Sequence, residues 1–207
     1  MTVEIGFRGL DQVRRNVAGI PERVDEASAF AINEAARYGQ AESSRRIREQ
    51  VAFSARYVGS AEDPGARLRV SKRARKGDLE AVIAGRTRPT SLAQFVQGTF
   101  KRNRPVRVKV SASKGAQSIR NAFQMKLRRG TGVYDPENAN VGLAIRLGKD
   151  EVVRNKRQMV QVSGSLYLLY GPSVDQVFRD VRVDVQGPVA DVLESSFLRN
   201  FARLNRG

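Results

Sequence analysis

The chain has 207 residues, 41% hydrophobic and 28% charged, which is ordinary globular usage and excludes an intrinsically disordered polymer. Lys and Arg number 37 against 21 Asp and Glu, a net charge of +16, so the expected partner is a polyanion or an acidic protein surface. Cysteine and histidine are both absent, which excludes disulfides, thiolate metal sites and zinc fingers, and removes the commonest general base and the most reactive nucleophile.

The length predicts one α+β domain over 1–207, built from a long N-terminal helix, an antiparallel sheet of about five or six strands and C-terminal helices. The start, Met1 to Arg8, lacks a basic region followed by an apolar core, and no apolar run approaches the length of a spanning helix. The reading is a protein without a secretion signal or membrane span, made in a cytoplasm.

In chain order, residues 3–7 alternate as a short strand and Leu10 to Val17 as a small helix. Pro21 opens a long helix over about 20–51. Val24, Ala27, Ala31, Ala35 and Tyr38 share one of its faces, and that alanine-rich face suits close packing in the core or against a neighbouring subunit. Gly59, Ser60, Pro64 and Gly65 mark a loop.

A β-rich middle is expected over about 67–170. Arg67–Ser71 alternates, Leu79–Ala84 is short and apolar, and Lys72–Asp78 between them reads as a hairpin connection. Val106, Val108 and Val110 alternate with Arg107, Lys109 and Ser111, a half-buried strand with a basic outer face. Residues 118–127 and 141–147 read as further strands, although the first also fits a helix; the turn-rich Arg129 to Asn140 separates them.

Residues 149–163 are polar and basic and fit a loop or a long hairpin. Leu166–Tyr170 favours a strand, and Gly171-Pro172-Ser173 then breaks it before a helix carrying Val174, Val177, Phe178 and Val181. Gly187-Pro188 predicts an interruption. A last helix follows, with Val189, Val192, Leu193, Phe197, Phe201 and Leu204 at helical spacing, within helical segments spanning about 174–205. Its early acids and late arginines match the helix dipole.

For chemistry, the adjacent acids Glu62-Asp63 and Asp150-Glu151 read as solvated loop charges, not as paired acid and base. Gly142 to Asp150 departs from a phosphate-binding loop: five residues separate the glycines, and Asp150 stands where Ser or Thr would hold magnesium. The sequence therefore predicts no catalytic, cofactor or metal residues, and a nuclease would need clustered acids that are not seen.

Basic residues concentrate as Arg67, Arg69, Lys72, Arg73, Arg75 and Lys76, as Lys101, Arg102, Arg104, Arg107 and Lys109, and as Lys126, Arg128 and Arg129. They are candidates for non-specific contact with double-stranded DNA or with acidic partners. Aromatic residues do not alternate with them, so no stacking platform for single strands is expected.

The order of segments resembles the minor tail protein Z family, tail-completion proteins of long-tailed phages. The resemblance rests on Phe30 to Arg37 with Ser43 to Glu49; on Arg67 to Val70 with Leu79 to Ala81 and Gly85 to Phe95; on Val106 to Val110 with Ala122-Phe123; and on Leu169 to Val174 leading into a C-terminal helix. It implies a virion protein at the head-proximal end of the tail that supports head–tail joining. Tail terminator, head–tail connector or tail tube proteins are its implied partners.

A homo-oligomeric ring, with a hexamer favoured, is also implied, and rings need heterologous interfaces. Ala27, Ala31, Ala35, Leu92, Phe95, Phe197 and Phe201 are the candidate subunit contacts. The alternative reading is a free, sequence-independent nucleic-acid-binding protein, motivated by the same charge.

Overall fold

A computed structural model describes residues 20–63, 65–98, 104–127, 140–148 and 158–206. The expected strand at 3–7, the helix at 10–17, and the segments 129–139 and 149–157 lie outside these residues. The fold is α+β.

Helix α1 spans Ile20–Gln50 and a single turn, α2, spans Ala55–Val58. Strands follow at Leu68–Lys72 (β1), Val82–Gly85 (β2) and Thr90–Ser91 (β3), then a 3-10 turn at Leu92–Phe95. Next come Val106–Val108 (β4), Gln117–Ile119 (β5), Ala122–Leu127 (β6), Asn140–Arg146 (β7), Met159–Ser163 (β8) and Leu166–Gly171 (β9). Helix α3 closes the chain over Val174–Asn205.

Within the single expected domain two compact units are seen. One holds residues 20–40, 70–83 and 185–206, and the other holds the described residues of 41–69 and 84–184.

In the first unit, α1 and α3 run antiparallel. Arg23 donates to Asn205 at 3.2 Å, the Arg203 guanidinium lies 5.5 Å from the Phe30 ring centroid, and Glu34 pairs with Arg199. Small residues on this part of α1 permit close packing. Ala27, Ala31 and Ala35 are buried, and a Cβ on Gly39 would stand 3.0 Å from Val189 and 3.2 Å from Ile83. Asn33 anchors the connection after β1, donating to the Ala74 carbonyl at 2.8 Å and accepting from its N–H at 2.9 Å. Tyr38, expected on the alanine face, is 38% exposed, although helical spacing puts it on the same side of α1 as 27, 31 and 35.

The second unit is organised by a five-stranded sheet in which β3, β9, β7 and β6 are neighbours in that order and β8 also pairs with β9. The pairing is antiparallel, and its register aligns Leu143, Leu169 and Met159 on one face and Ala144, Leu168 and Val160 on the other. Leu143 and Ala144 are both fully buried, so β7 is covered on both faces and reads as an apolar run without alternation. Ser173 caps α3: its hydroxyl accepts from Gln176 N–H at 3.1 Å, and the Gln176 side chain accepts from Ser173 N–H at 2.9 Å. Val174, Val177 and Val181 then enter the core.

Two expectations are corrected. Residues 118–127 are two strands, because Asn121 adopts φ 57°, a left-handed turn that Asn tolerates; β5 pairs with β4 while β6 pairs with β7. The C-terminal helices are one continuous helix through Pro188. Gly187 has no Cβ to clash with the proline ring, and the carbonyl deprived of its donor belongs to Asp184, which is exposed to solvent.

Phe95 is 1% exposed and packs on Phe53 with ring centroids 5.2 Å apart. Phe95→Ala is expected to cost about 3–5 kcal/mol in chemical denaturation, against at most about 0.5 kcal/mol for the exposed Leu198→Ala. Pro188→Ala should raise stability by about 1–2 kcal/mol, since an alanine N–H restores the missing helical bond. Unchanged or lower stability would contradict a continuous helix.

Candidate functional site

The concentration of cations at 67–76 is divided between the two units. Arg67 and Arg69 belong to the second, and Lys72, Arg73, Arg75 and Lys76 to the first.

The latter group is partly neutralised. The Lys72 ammonium donates to Glu80 at 2.6 Å and to Asp78 at 2.9 Å, and these two carboxylates raise its pKa, Glu80 the more. Lys76 stands 3.8 Å from Glu22. Arg73 and Arg75 are exposed, and Arg75 closes the β1–β2 connection through paired backbone hydrogen bonds with Asp78, both 2.9 Å. In the second unit Arg69 is exposed and has a contact of its own.

The alternation at 106–110 is realised over β4: Val106 and Val108 are buried and Arg107 is exposed. Beyond it, Lys109 N–H donates to the Phe95 carbonyl at 2.9 Å and the Val110 carbonyl accepts from Ala52 N–H at 2.8 Å, which leaves Lys109 half-buried. Arg104 and Lys126 are exposed, while Lys101, Arg102, Arg128 and Arg129 lie outside the described residues.

Of the candidate subunit contacts, Ala27, Ala31, Ala35 and Phe95 are buried by their own chain, so they have almost no area to offer a neighbour. Leu92, Phe197 and Phe201 are half-buried, the two phenylalanines stacked with centroids 5.8 Å apart.

One concentration of cations in the second unit includes two residues outside those candidate clusters. Arg67, Arg86 and Arg88 line one cleft of about 430 Å³ together with Tyr57, Ser91, Gln94 and Tyr170, and no acidic residue lines it among those described. Local structure places these groups. Ser54 caps α2 by accepting from Tyr57 N–H at 3.1 Å, and the Tyr57 hydroxyl donates to Thr90 at 3.0 Å.

Arg67 donates to the Tyr57 carbonyl at 3.0 Å while its guanidinium carbon lies 3.9 Å from the Tyr57 ring centroid. Its Nε is buried with no hydrogen-bond partner. Arg86 is held through its backbone, its N–H donating to the Arg67 carbonyl at 2.7 Å and its carbonyl accepting from Asp175 N–H at 3.2 Å. The nearby Asp175 carboxylate is occupied by Arg179 at 2.8 Å. Gly85 admits this approach, since a Cβ there would stand 2.8 Å from the Asp175 backbone. The sequence signal for Arg86 and Arg88 was the run Gly85-Arg86-Thr87-Arg88-Pro89, two arginines and no acid between two strands.

A second, apolar cleft of about 520 Å³ is lined by residues including Val108, Val110, Ile119, Ile145, Met159 and Leu169. No group of three or more potential metal ligands occurs among the described residues, and none of their helices is long and apolar enough to cross a membrane.

Comparison of the chain with protein-family models, with curated proteins and with solved structures finds no match.

Away from the cleft, α1 carries a charge network in which Glu42 accepts from Arg45 and Arg46 and Arg45 also reaches Glu49. Hydrogen bonds from Arg45 and then Arg46 hold the Glu42 carboxyl at about 2, below its ordinary 4.5. The depressed value means that Glu42 stabilises the fold fully above about pH 4.5 and loses that contribution as pH falls towards 2. Denaturation of Glu42→Gln from pH 2 to 7 should therefore show a deficit that is constant above pH 4.5 and closes on acidification, and that shrinks in high salt. A pH-independent deficit would count against the pairing.

Proposed function

We propose that the chain is a structural assembly protein of a phage tail, a minor tail or tail-completion protein acting at the head-proximal end. The observation that carries the assembly role is the acid-free cleft of Arg67, Arg86 and Arg88 on a chain of net charge +16: three cations line one concavity, with no acidic residue among the described residues of its lining. The tail location is supported by the four ordered segments that resemble the minor tail protein Z family.

These segments coincide with structured elements of an α+β fold. Phe30 to Arg37 and Ser43 to Glu49 lie on α1, Arg67 to Val70 enters β1, Val106 opens β4, Ala122-Phe123 opens β6, and Leu169 to Val174 joins β9 to α3. In this role the protein performs no turnover. Subunits dock as a ring, a hexamer in the favoured form, between tail and head components, with basic surfaces meeting acidic neighbours or the DNA path.

The same +16 charge supports a second reading, a free, sequence-independent nucleic-acid-binding protein. Two measurements separate them. The tail reading expects the chain in intact virions and in complexes reconstituted with tail-terminator or connector proteins, with only weak duplex binding by the isolated chain at moderate salt. Absence from both, together with tight low-salt duplex binding that falls steeply as salt rises, would establish the second reading.

A further inference from the structure

We infer that the Arg67–Arg86–Arg88 cleft is a docking site for an acidic peptide segment of a partner protein, receiving its carboxylates on the guanidinium groups and its hydrocarbon parts on the apolar wall. The inference rests on the assembly reading for the partner being a protein; the site itself stands on geometry.

The cationic side of the cleft is partly preorganised. Arg67 is fixed by its hydrogen bond to the Tyr57 carbonyl and by its stacking over the Tyr57 ring, so a ligand need not order that side chain. Part of its charge is out of water, because Nε is buried and unpartnered, and a partly desolvated cation with no counter-charge favours an entering anion. Arg86 and Arg88 are exposed and add two forks suited to bidentate contact with carboxylates.

The lining also separates the possible anions. Leu127, Val141 and Val160 line the same cleft as the arginines, and Val141 and Val160 are 40% and 51% exposed. A phosphodiester backbone has only the small C–H surface of its sugars to place there, and duplex DNA presents its phosphates on a convex, rigid surface. A concavity of about 430 Å³ has the size of a ligand pocket and accepts a few side chains. Glutamate or aspartate beside leucine or valine in an extended segment matches both walls. Tyr57 and Tyr170 in the lining, beside the arginines, are of the residue types enriched at binding hot spots.

The test uses the full chain and a fluorescein-labelled peptide of alternating Glu and Leu, read by anisotropy at moderate salt, with a labelled random-sequence DNA duplex measured in parallel. The double variant Arg86→Gln, Arg88→Gln removes two exposed charges from the cleft. A charge-matched control, Lys114→Gln, Arg120→Gln, removes two exposed charges elsewhere.

The expected result is peptide affinity weakened by about tenfold or more in the cleft variant, little change in the control, and duplex affinity affected equally by the two. Arg67→Lys, which keeps the charge and loses the fork, should weaken the peptide as well, with its melting temperature recorded to separate folding from binding. The inference is overturned if the peptide does not bind, if the two double variants lose peptide affinity equally, or if the cleft variant loses duplex affinity as much as peptide affinity. None of these outcomes bears on whether the protein is found in virions, so the tail reading stands or falls separately.

Discussion

The Tyr57 ring is the hinge of the second unit's chemistry. It stacks on Phe53 at 5.3 Å with an interplanar angle of 8°, carries the Arg67 guanidinium, and donates its hydroxyl to Thr90 at the start of β3. Phe53 in turn meets Phe95, and Phe95 fills the space beside Gly171 at the end of β9. One aromatic contact therefore couples a cation to the buried interior: moving Tyr57 would release Arg67 and disturb the packing that orients β3. Buried aromatic area supplies the stability, and the charge is positioned as a consequence.

A chain with so large an excess of cations faces self-repulsion when it folds. Among the described residues the repulsion is relieved locally and unevenly. Lys72, Lys76, Arg45, Arg46, Arg179 and Arg199 each have an acid within reach, most of them on the same element or an adjacent turn. Such exposed pairs contribute little stability individually, but they cancel charge where no partner is required. Arg67, Arg86 and Arg88 are left without acids in a concave place. That contrast gives the cleft its meaning: net charge alone would spread attraction over the whole surface.

Much of the fold was legible locally. The long helix began at Pro21, β4 followed from the strict alternation at 106–108, and Gly171-Pro172-Ser173 marked the passage from β9 to α3, because each signal is made by residues a few positions apart. The candidate site was legible only in part. Arg67 was singled out with its sequence neighbours, yet the chain divides Arg67 and Arg69 from Lys72 to Lys76, and brings Arg67 instead to Arg86 and Arg88. Proximity in sequence is a poor guide here because a strand sends successive side chains to opposite faces, while the backbone bond from Arg86 to Arg67 joins residues on different strand ends. The alanine face left core and interface open, since an amphipathic pattern says that a face is covered without saying by what.

By itself the sequence determined the charge, the absence of His and Cys, the helix that carries Ala27, Ala31 and Ala35, and the alternation that exposes Arg107, all set by composition or by short-range backbone periodicity. Only the tertiary structure decided that the alanines are covered by their own chain, that Pro188 is carried within one helix, that Asn121 turns one apparent strand into two, and that three arginines share an acid-free cleft. Those outcomes depend on which distant surfaces meet, and the free energy of that meeting comes from burial and close packing between segments far apart in the chain, which no local pattern encodes.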